Sequence, residues 1–489
     1  MVRPTVVAPG DQVEAQAIRL NDDGEGVVSI HGFTVFVPGL LPGEHGLLRL
    51  NTVAKTFGTA SLLKRFTTCD LRKEAPCPVF QRCGGCQLQH IPYETQLKHK
   101  QETVENAFRR VGHFTDTTVL PTIGMETPWR YRNNIQVPVK FFGSAGEAGL
   151  SGNSVRERAV SSSHGNFCCG EGAVYRGHTF ELGFYAPDSH TLVPTDVCLL
   201  IPADMEETVR QSAAILAERL GTKARHIHHL ILRRSFSDEE LLVAIATERP
   251  LGHTGMIAAK AMTDLPKVAG VVETIQGRDA TSVWGPGVTL LAGQDRLKQR
   301  LGNLEFLISA QSFFQVNPVQ TEVLYSKVAE LLQVGSEDSL LDLYCGAGTI
   351  GLSLAHRVRR VTGIESNPAA VADAKENAMH NHIRNVEFIF GRAEEELERM
   401  AREGTRYEAA VLDPPRKGCH PRLLQAVLKI RPQQIVYVSC NPATLARDVR
   451  VMVDSGYQMG AVQPVDMFPQ TAHVECCLLL TKRAVGASG

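Results

Sequence analysis

The C-terminal part of the chain, from residue 311 onward, repeats one pattern in which an apolar run ends in a polar loop and a helical stretch follows. The apolar runs of this kind read SLLDL, RRVTGIE, VEFIF, YEAAVLD and QIVYVS. Strands that alternate with helices of this length are typical of a mostly parallel, doubly wound sheet. The pattern therefore predicts an α/β domain of the Rossmann-like type over residues 311–489.

The N-terminal residues 1–66 have a different pattern, with short apolar or alternating runs separated by turns rich in Gly, Asp and Pro. The runs are VEAQAIRL, GEGVVSI, FTVFVPG, GEHGLLRLN and TASLLKRF. They are typical of a small closed barrel of the oligonucleotide-binding type, although small barrels serve many purposes. Residues 67–310 mix strands with helical stretches and are predicted to form a central α+β domain. The whole chain is thus expected to be a multi-domain α/β protein.

The composition narrows the classes of function. The 489 residues are 43% hydrophobic, enough for several packed cores, yet no apolar run approaches the length that spans a bilayer. The N-terminus lacks the layout of a secretory signal, so we expect a cytoplasmic protein without membrane contact. A formal net charge of −1 gives no overall attraction to nucleic acid, so RNA-binding charge must be local. The following basic residues offer such charge, or else a solvated helix face: Lys98, Lys100, Arg109, Arg110, Arg130, Arg132 and Lys140.

The loop after the run SLLDL is rich in glycine and reads DLYCGAG over residues 342–348. Glycines let a backbone approach a ligand, and ligands of such sheets bind at the carboxyl ends of the strands. The next strand ends in Glu365, and an acid in that position commonly accepts the two ribose hydroxyls of an adenosine. The loop lacks the spacing that binds a pyrophosphate, so the pattern favours S-adenosylmethionine. The alternative is that Glu365 serves only the start of the following helix.

Two further loops carry reactive groups. The run YEAAVLD ends in Asp413, and the two prolines that follow stiffen the turn DPPRKG. An Asp-Pro-Pro turn is also used by methylases of exocyclic amino groups, so it indicates methyl transfer without naming the atom. The run QIVYVS ends just before Cys440, and a helix is predicted to begin near Thr444. A thiol at the start of a helix is expected to have a lowered pKa and to act as a thiolate nucleophile.

A cysteine in this position suits methylation of carbon 5 of uracil. That carbon is a poor nucleophile until a thiolate adds to carbon 6 and makes it enolate-like. A base must afterwards remove the hydrogen on carbon 5 so that the thiolate can leave. Glu475, in the segment MFPQTAHVE, is the candidate base, and His473 would share its face in a strand. Taken alone, Cys440 would more often be an inert buried thiol.

The motifs FFQVN, DLYCGAGTIGL, DPPRKG, SCNPATLARD and PQTAHVE resemble those of the bacterial RNA uridine-5-methyltransferases. The resemblance is closest to the 23S ribosomal RNA branch, which carries an iron–sulfur cluster, and it covers nearly the whole chain. It implies that the first domain is a TRAM module, a small RNA-binding barrel. It also implies that the helix at about 96–128 packs on the catalytic domain, although it precedes the central domain in sequence.

The same resemblance assigns roles to individual residues. It implies that the cofactor is contacted by Gln315, Tyr344 and Glu365, and that Asp413 lies at the cofactor and the substrate. Cys440 is then the nucleophile and Glu475 the base.

Twelve cysteines occur in the chain, and Cys77, Cys83 and Cys86 stand at C-x₅-C-x₂-C spacing. In a large chain without a secretory signal, such thiols are more often reduced, metal-bound or catalytic than disulfide-bonded. The spacing alone leaves zinc and an iron–sulfur cluster both open. The resemblance implies a [4Fe-4S] cluster whose fourth ligand is Cys198, in the segment FYAPDSHTLVPTDVC. No role is predicted for three further thiols, two of which lie in a Gly- and Ser-rich insertion: Cys69, Cys168 and Cys169.

The expected function is methylation of a 23S ribosomal RNA uridine by a monomeric enzyme, and three alternatives compete with it. A transfer-RNA uridine-5-methyltransferase would use the same catalytic residues, but such enzymes generally lack the barrel and the cluster cysteines. A catalytically silent RNA-binding assembly factor would need neither Cys440 nor Glu475. An amino-group methylase would leave Cys440 without a role.

Overall fold

The structure is a computed structural model that describes residues 7–142, 174–175 and 178–483. Its N-terminal unit is a closed barrel with the strand order β1-β2-β3-β5-β4, which confirms the predicted barrel. Alternate side chains of the strands fill the interior, among them Val28, Val35 and Leu48. The strands are β1 (Gln12–Leu20), β2 (Gly26–Ile30), β3 (Phe33–Val37), β4 (His45–Val53) and β5 (Phe57–Arg65).

The first long helix, α1 (Tyr93–Arg110), follows the barrel after a segment without regular structure. It ends earlier than the predicted helix of about 96–128. His113 adopts a left-handed backbone conformation with φ 53°, which a continuing helix does not allow.

The central unit is a mixed sheet with the strand order β13-β12-β11-β10-β6-β8-β7, and β9 pairs with β8. Two helices, α2 (Ala203–Leu220) and α3 (Gly252–Thr263), contribute to the core that this sheet buries. Its strands are β6 (Asn134–Phe142), β7 (Val174–Tyr175), β8 (His178–Tyr185), β9 (Leu192–Pro194), β10 (Ile227–Arg234), β11 (Leu241–Thr247), β12 (Val268–Ile275) and β13 (Val288–Gly293).

The C-terminal unit is entered through a hairpin, β14 (Arg296–Leu301) and β15 (Leu304–Ser309), and through α4 (Pro318–Leu331). Strands and helices then alternate as the sequence pattern predicts. They are β16 (Ser339–Leu343), α5 (Thr349–Leu354), β17 (Arg360–Glu365), α6 (Pro368–His380), β18 (Val386–Phe390), α7 (Ala393–Arg402), β19 (Ala409–Leu412), α8 (Pro421–Ile430), β20 (Gln434–Ser439), α9 (Pro442–Asp454), β21 (Tyr457–Met459), β22 (Gln463–Val465) and β23 (Glu475–Lys482).

The C-terminal sheet has the strand order β18-β17-β16-β19-β20-β23-β21, and β22 pairs with β23. The strands β16 to β20 run parallel, while β23 is antiparallel to β20. The chain moves from β16 outward to β18 and then returns to the other side of β16 with β19. Such a reversal opens a crevice at the carboxyl ends of β16 and β19, where ligands of these folds bind.

The segment from α1 to residue 123 packs on this C-terminal unit, although the central sheet separates the two in sequence. α1 contacts α9 and β22. Val119 and Ile123 form parallel bridges with Val462 and Val465. Lys100 is fully buried on the inner side of α1, so it adds no surface charge to the basic stretch suggested from the sequence. Within the described ranges, no helix combines the length and the apolar character that crossing a membrane requires.

Candidate active site

A cavity of about 1960 Å³ opens at the carboxyl ends of the strands in the C-terminal unit. The loops that follow β16, β17, β19 and β20 form one part of its wall, and the loop between β15 and α4 forms another. All the residues that the sequence assigned to the cofactor and to catalysis line this one cavity: Gln315, Tyr344, Glu365, Asp413, Cys440 and Glu475.

The loop after β16 is held in a tight, partly left-handed path. Tyr344 has φ 63°, which is costly for a residue with a side chain, and its backbone N–H donates to Ile364 O at 3.0 Å. Gly348 has φ 79°, and a Cβ there would lie 2.7 Å from the Phe388 ring. Only glycine fits this position, so the glycine in the motif is explained by packing as well as by backbone conformation.

Glu365 lies at the end of β17 and braces the neighbouring loop. One of its carboxylate oxygens accepts the Gly346 N–H at 3.2 Å, and the other accepts the Asn367 N–H at 2.7 Å. Asn367 in turn caps α6, so Glu365 is not the N-cap of that helix. The carboxylate is half-buried at the cavity wall and keeps acceptor capacity for a ligand.

A buried carboxyl group, Asp342, and a half-buried one, Asp413, flank the crevice between β16 and β19. Burial raises the pKa of Asp342 to about 7, and burial likewise raises the pKa of Asp413 to about 7. Asp342 Oδ2 accepts the Gly351 N–H at 2.9 Å, but its Oδ1 is buried without a hydrogen-bond partner. A buried acceptor without a partner is costly, so this oxygen fits a ligand that carries a hydrogen-bond donor. The sequence reasoning did not assign Asp342 a role, although it opens the glycine-rich motif.

The sheet sets Cys440 beside Glu475. Ser439, the last residue of β20, pairs with Cys476 on β23, so Cys440 and Glu475 are the next residues along the two chains. Both side chains line the cavity, and the charge of Glu475 acts on the Cys440 thiol. On its other side, Glu475 pairs with Val465 of β22.

The pKa of Cys440 is raised to about 11, not lowered as expected from its place before a helix. Burial is the largest cause, and the negative charges of Glu475 and Asp413 add to it, while the Arg416 guanidinium opposes them. The α9 N-terminus is instead capped by Asn441, whose side chain accepts the Ala443 N–H at 3.0 Å. Burial beside two acids thus outweighs the helix terminus.

Glu475 is buried, and its pKa is raised well above the ordinary value. Burial is the main cause, the Asp413 charge adds to it, and Arg416 opposes it. Arg416 belongs to the DPPRKG turn, and its backbone O accepts hydrogen bonds from the side chains of Asn441 (3.0 Å) and Thr444 (3.2 Å). The turn after β19 and the turn after β20 are therefore joined around the thiol and the carboxyl group.

His473, the other base considered from the sequence, lies differently. Its side chain is exposed and its ring packs edge-on against Phe468, with the ring centroids 6.1 Å apart. It does not line the cavity that holds Cys440.

The four cysteines assigned to a cluster lie in one neighbourhood. The pKa of Cys86 is raised to about 12, mainly by burial and in smaller part by the charges of Cys198, Cys83 and Cys77. Burial also raises the pKa of Cys198, with smaller contributions from Cys83 and Cys77. All four are free of disulfide bonds.

Within residues 7–142, 174–175 and 178–483, no three His, Cys, Asp or Glu side chains are arranged to hold a single metal ion. Four half-buried thiols near one another match in number the Cys₄ sets that hold iron–sulfur clusters. Cys69 is half-buried and packs against Leu41 and Leu88, at the junction of the barrel and the cysteine-bearing segment. Cys168 and Cys169 lie outside the described residues.

Comparison with known proteins agrees with this site. Residues 238–483 match the family model of tRNA (uracil-5-)-methyltransferases. An uncharacterized RNA methyltransferase of Halalkalibacterium halodurans is 38% identical over 97% of this chain and 98% of its own. One of Bacillus cereus is 36% identical over 95% of each. The Pyrococcus abyssi tRNA (uracil-54, C5)-methyltransferase, solved with S-adenosyl-L-homocysteine, is 26% identical, with a TM-score of 0.68 over 96% of this chain and 99% of its own.

Proposed function

Because the chain belongs to the RNA uracil-5-methyltransferase family, a family of S-adenosylmethionine-dependent enzymes, we propose that it methylates carbon 5 of a uridine in 23S ribosomal RNA. In this proposal Cys440 is the nucleophile and Glu475 the base. The observation that carries it is the pairing of β20 with β23, which ends next to Cys440 and Glu475, both of which line the cavity.

The proposed domains divide the work. We assign RNA binding to residues 1–66, the cysteine centre to residues 67–310, and the cofactor and the reacting base to residues 311–489. The segment around α1 is the exception to this division, because it packs on the catalytic sheet.

The polar side chains that line the cavity suit the hydrogen-bonding groups of S-adenosylmethionine. We assign the ribose hydroxyls to Glu365, and further cofactor contacts to Gln315, Tyr344 and Asp413. The partnerless Oδ1 of Asp342 suits the ammonium group of the cofactor's amino-acid part. The cofactor, when bound, supplies an electrophilic methyl group on a positively charged sulfur, and it is left as S-adenosylhomocysteine once carbon 5 has taken that methyl group.

Cys440 acts first in the proposed reaction. Its Sγ adds to carbon 6 of the uracil, which forms a sulfur–carbon bond and places the electron pair of the 5,6 double bond on carbon 5 and the adjoining carbonyl. A stacked base does not expose carbon 6 to a side chain, so the target uridine must first leave its stack. The positive charge of Arg416 favours the thiolate form that this step needs.

Glu475 acts last. After carbon 5 is methylated, the carboxylate removes the remaining hydrogen on that carbon as a proton. The electron pair reforms the double bond, and the bond between carbon 6 and Cys440 Sγ breaks. Burial and the Asp413 charge raise the pKa of Glu475, which makes it a better proton acceptor than an ordinary glutamate once ionised.

A [4Fe-4S] cluster is proposed at Cys77, Cys83, Cys86 and Cys198. The chemistry of the donor set supports it, since the four thiols are half-buried near one another and lack disulfide partners, and burial raises the pKa of Cys83, Cys86 and Cys198. The N–H of Gly85 also points to Cys83 Sγ at 3.4 Å. Such hydrogen bonds to sulfur tune clusters that are held by thiolates.

The RNA target separates two proposals. The four-cysteine set supports the ribosomal RNA branch, in which the resemblance implies an iron–sulfur cluster. The barrel does not separate the two targets, because the Pyrococcus abyssi enzyme aligns over 96% of this chain. A transfer RNA is the second candidate, because the Pyrococcus abyssi enzyme, whose name gives a tRNA substrate, shares the fold over almost its whole length. A catalytically silent RNA-binding factor is disfavoured, because Cys440, Glu475 and Arg416 lie together at the cavity and such a factor would need neither Cys440 nor Glu475.

The test is mass mapping of 5-methyluridine in cellular RNA from strains with and without the gene. The proposal expects one or more positions in 23S ribosomal RNA to lose the methyl group, while transfer RNA is unchanged. Loss confined to transfer RNA would establish the second candidate instead. Complementation with a Cys440→Ala gene should fail to restore the modification, which separates catalysis from a scaffold role.

A further inference from the structure

A buried ion pair joins α1 to the loop that precedes Glu475. Lys100 Nζ donates to Asp466 Oδ1, and both side chains are fully buried. Lys100 also donates to Phe468 O at 3.1 Å, and the Tyr93 hydroxyl donates to the second carboxylate oxygen of Asp466 at 2.8 Å. A buried ion pair is weak evidence for stability, because apolar side chains of similar size often serve as well. We therefore expect this ion pair to have a role other than stability.

The position of Asp466 indicates that role. Residues 466–474, called here the base loop, connect β22 to β23. Val465 pairs with Glu475, so Asp466 is the first residue beyond the pair that holds the proposed base. The Asp466 N–H donates to Ile123 O at 2.9 Å, which fixes the backbone at the same point. Lys100 therefore binds the loop at Asp466, the residue next to Val465, which pairs with Glu475.

Further contacts of the base loop come from α1 and from the segment before it. Gln96, one turn before Lys100 on α1, exchanges hydrogen bonds with Gln470: its Oε1 accepts the Gln470 N–H at 3.1 Å, and its Nε2 donates to Gln470 Oε1 at 3.0 Å. Gln470 O accepts the N–H groups of Gln87 (3.1 Å) and Leu88 (3.0 Å). The start of α4 also contacts the loop, since Asn317 donates to Met467 O and Gln320 donates to Asp466 O, each at 3.1 Å. The loop is therefore positioned by α1, by the segment before α1 and by α4.

We propose that Lys100 is a positioning residue for uracil methylation, and that it fixes the Glu475 carboxyl group at carbon 5 by holding Asp466. The inference rests on the proposed role of Glu475 as the base. A shift of about 1 Å in a reacting group can cost about a hundredfold in rate, so a small displacement at Asp466 is enough to slow the step that needs the base. Because the base acts only after methylation, its displacement slows release of the RNA and leaves the methyl transfer that precedes it intact.

The test compares three variants of the full chain with the wild type. Lys100→Met leaves Asp466 buried without its cation, and the double variant Lys100→Met, Asp466→Asn removes both charges. Arg234→Met breaks an ion pair of the central sheet with Asp204, whose N–O distance is 3.0 Å, and serves as the matched control. Single-turnover reactions with RNA from cells that lack the gene, and with labelled S-adenosylmethionine, separate methyl transfer from release. A denaturing gel measures the methylated covalent adduct.

For Lys100→Met and for the double variant, we expect release to slow by about tenfold or more while methyl transfer stays within about twofold of the wild type. The labelled adduct should accumulate in both. The double variant should unfold at a higher temperature than Lys100→Met, because it carries no uncompensated buried charge. Arg234→Met should lose thermal stability without accumulating the adduct.

Two results overturn the inference. One is an equal slowing of methyl transfer and release, which indicates a general structural defect. The other is normal release by the double variant, which shows that the ion pair does not position the base. A Glu475→Gln variant run beside them tests the premise separately: if it turns over normally, the assignment of the base fails whatever Lys100 does.

Discussion

The reactivity of Cys440 gives a quantitative test of the site's electrostatics. Burial and the charges of Glu475 and Asp413 raise the pKa of this thiol to about 11 from an ordinary 9.0, and Arg416 opposes them. Only the thiolate is alkylated, so a raised pKa means slower alkylation at any pH below it. The perturbations are Glu475→Gln, which removes a negative charge, and Arg416→Gln, which removes the positive one.

The magnitudes follow from these values. At pH 8 a thiol with a pKa of about 11 is roughly one part in a thousand thiolate, whereas one at 9.0 is roughly one part in ten, a difference of about a hundredfold. Burial is the largest cause and persists in Glu475→Gln. That variant should therefore be alkylated faster than the wild type, by less than the full difference of about a hundredfold. Arg416→Gln should shift the pKa upward and slow alkylation further.

The assay is alkylation by iodoacetamide between pH 7 and pH 10, in the absence of cofactor and RNA. Mass spectrometry of the peptide that contains Cys440 isolates this thiol from the other eleven of the twelve cysteines. Lys417→Gln, which neutralises the residue next to Arg416, is the matched control and should change the rate less than Arg416→Gln. The reasoning is refuted if the wild-type rate already levels off near pH 7, or if the two charge removals act in the same direction.

Three other predictions concern the ligands. Glu365→Ala should weaken S-adenosylmethionine binding in calorimetry by about 3–6 kcal/mol, since two hydrogen bonds to a charged acceptor are lost, while RNA affinity stays the same; unchanged cofactor affinity contradicts the assignment. Asp342→Leu should weaken cofactor binding as well. Tighter binding would show that Asp342 Oδ1 accepts no hydrogen bond from the cofactor. Protein purified without oxygen should be brown with about four irons per chain, and Ser at Cys77, Cys83, Cys86 or Cys198 should bleach it. A colourless protein with stoichiometric zinc would contradict the cluster. Loss of colour in Cys168→Ser but not in Cys198→Ser would show that the fourth ligand is Cys168.

The sequence predicted those features that depend on short segments. Alternating strands and helices indicated the parallel sheet, and turn-separated runs indicated the barrel; both are confirmed. The tips of parallel strands meet at one edge of a sheet, so the local motifs at Glu365, Asp413 and Cys440 were enough to bring these residues to one cavity.

Features that depend on distant segments could not be predicted in this way. Lys100 and Asp466 are separated by 366 positions. A lysine on a polar helix is predicted to be solvated when no partner is visible in the neighbouring sequence. The expected low pKa of Cys440 was wrong for a similar reason. The helix terminus is visible in the sequence, whereas the burial and the neighbouring Glu475 arise only from the pairing of β20 with β23.

The central claim is that Cys440 attacks carbon 6 of the uracil and that Glu475 removes the proton from carbon 5, which releases the RNA. Trapping of the covalent adduct tests this claim most directly. Each variant is incubated with unmodified RNA and S-adenosylmethionine labelled in its methyl group, and the products are separated on a denaturing gel. Glu475→Gln should give a slowly migrating protein–RNA band that carries the label, because elimination cannot precede removal of the proton. Cys440→Ala and the double variant Cys440→Ala, Glu475→Gln should give none, although both still bind the cofactor. A labelled adduct that persists without Cys440, or full turnover by Glu475→Gln, would contradict the account.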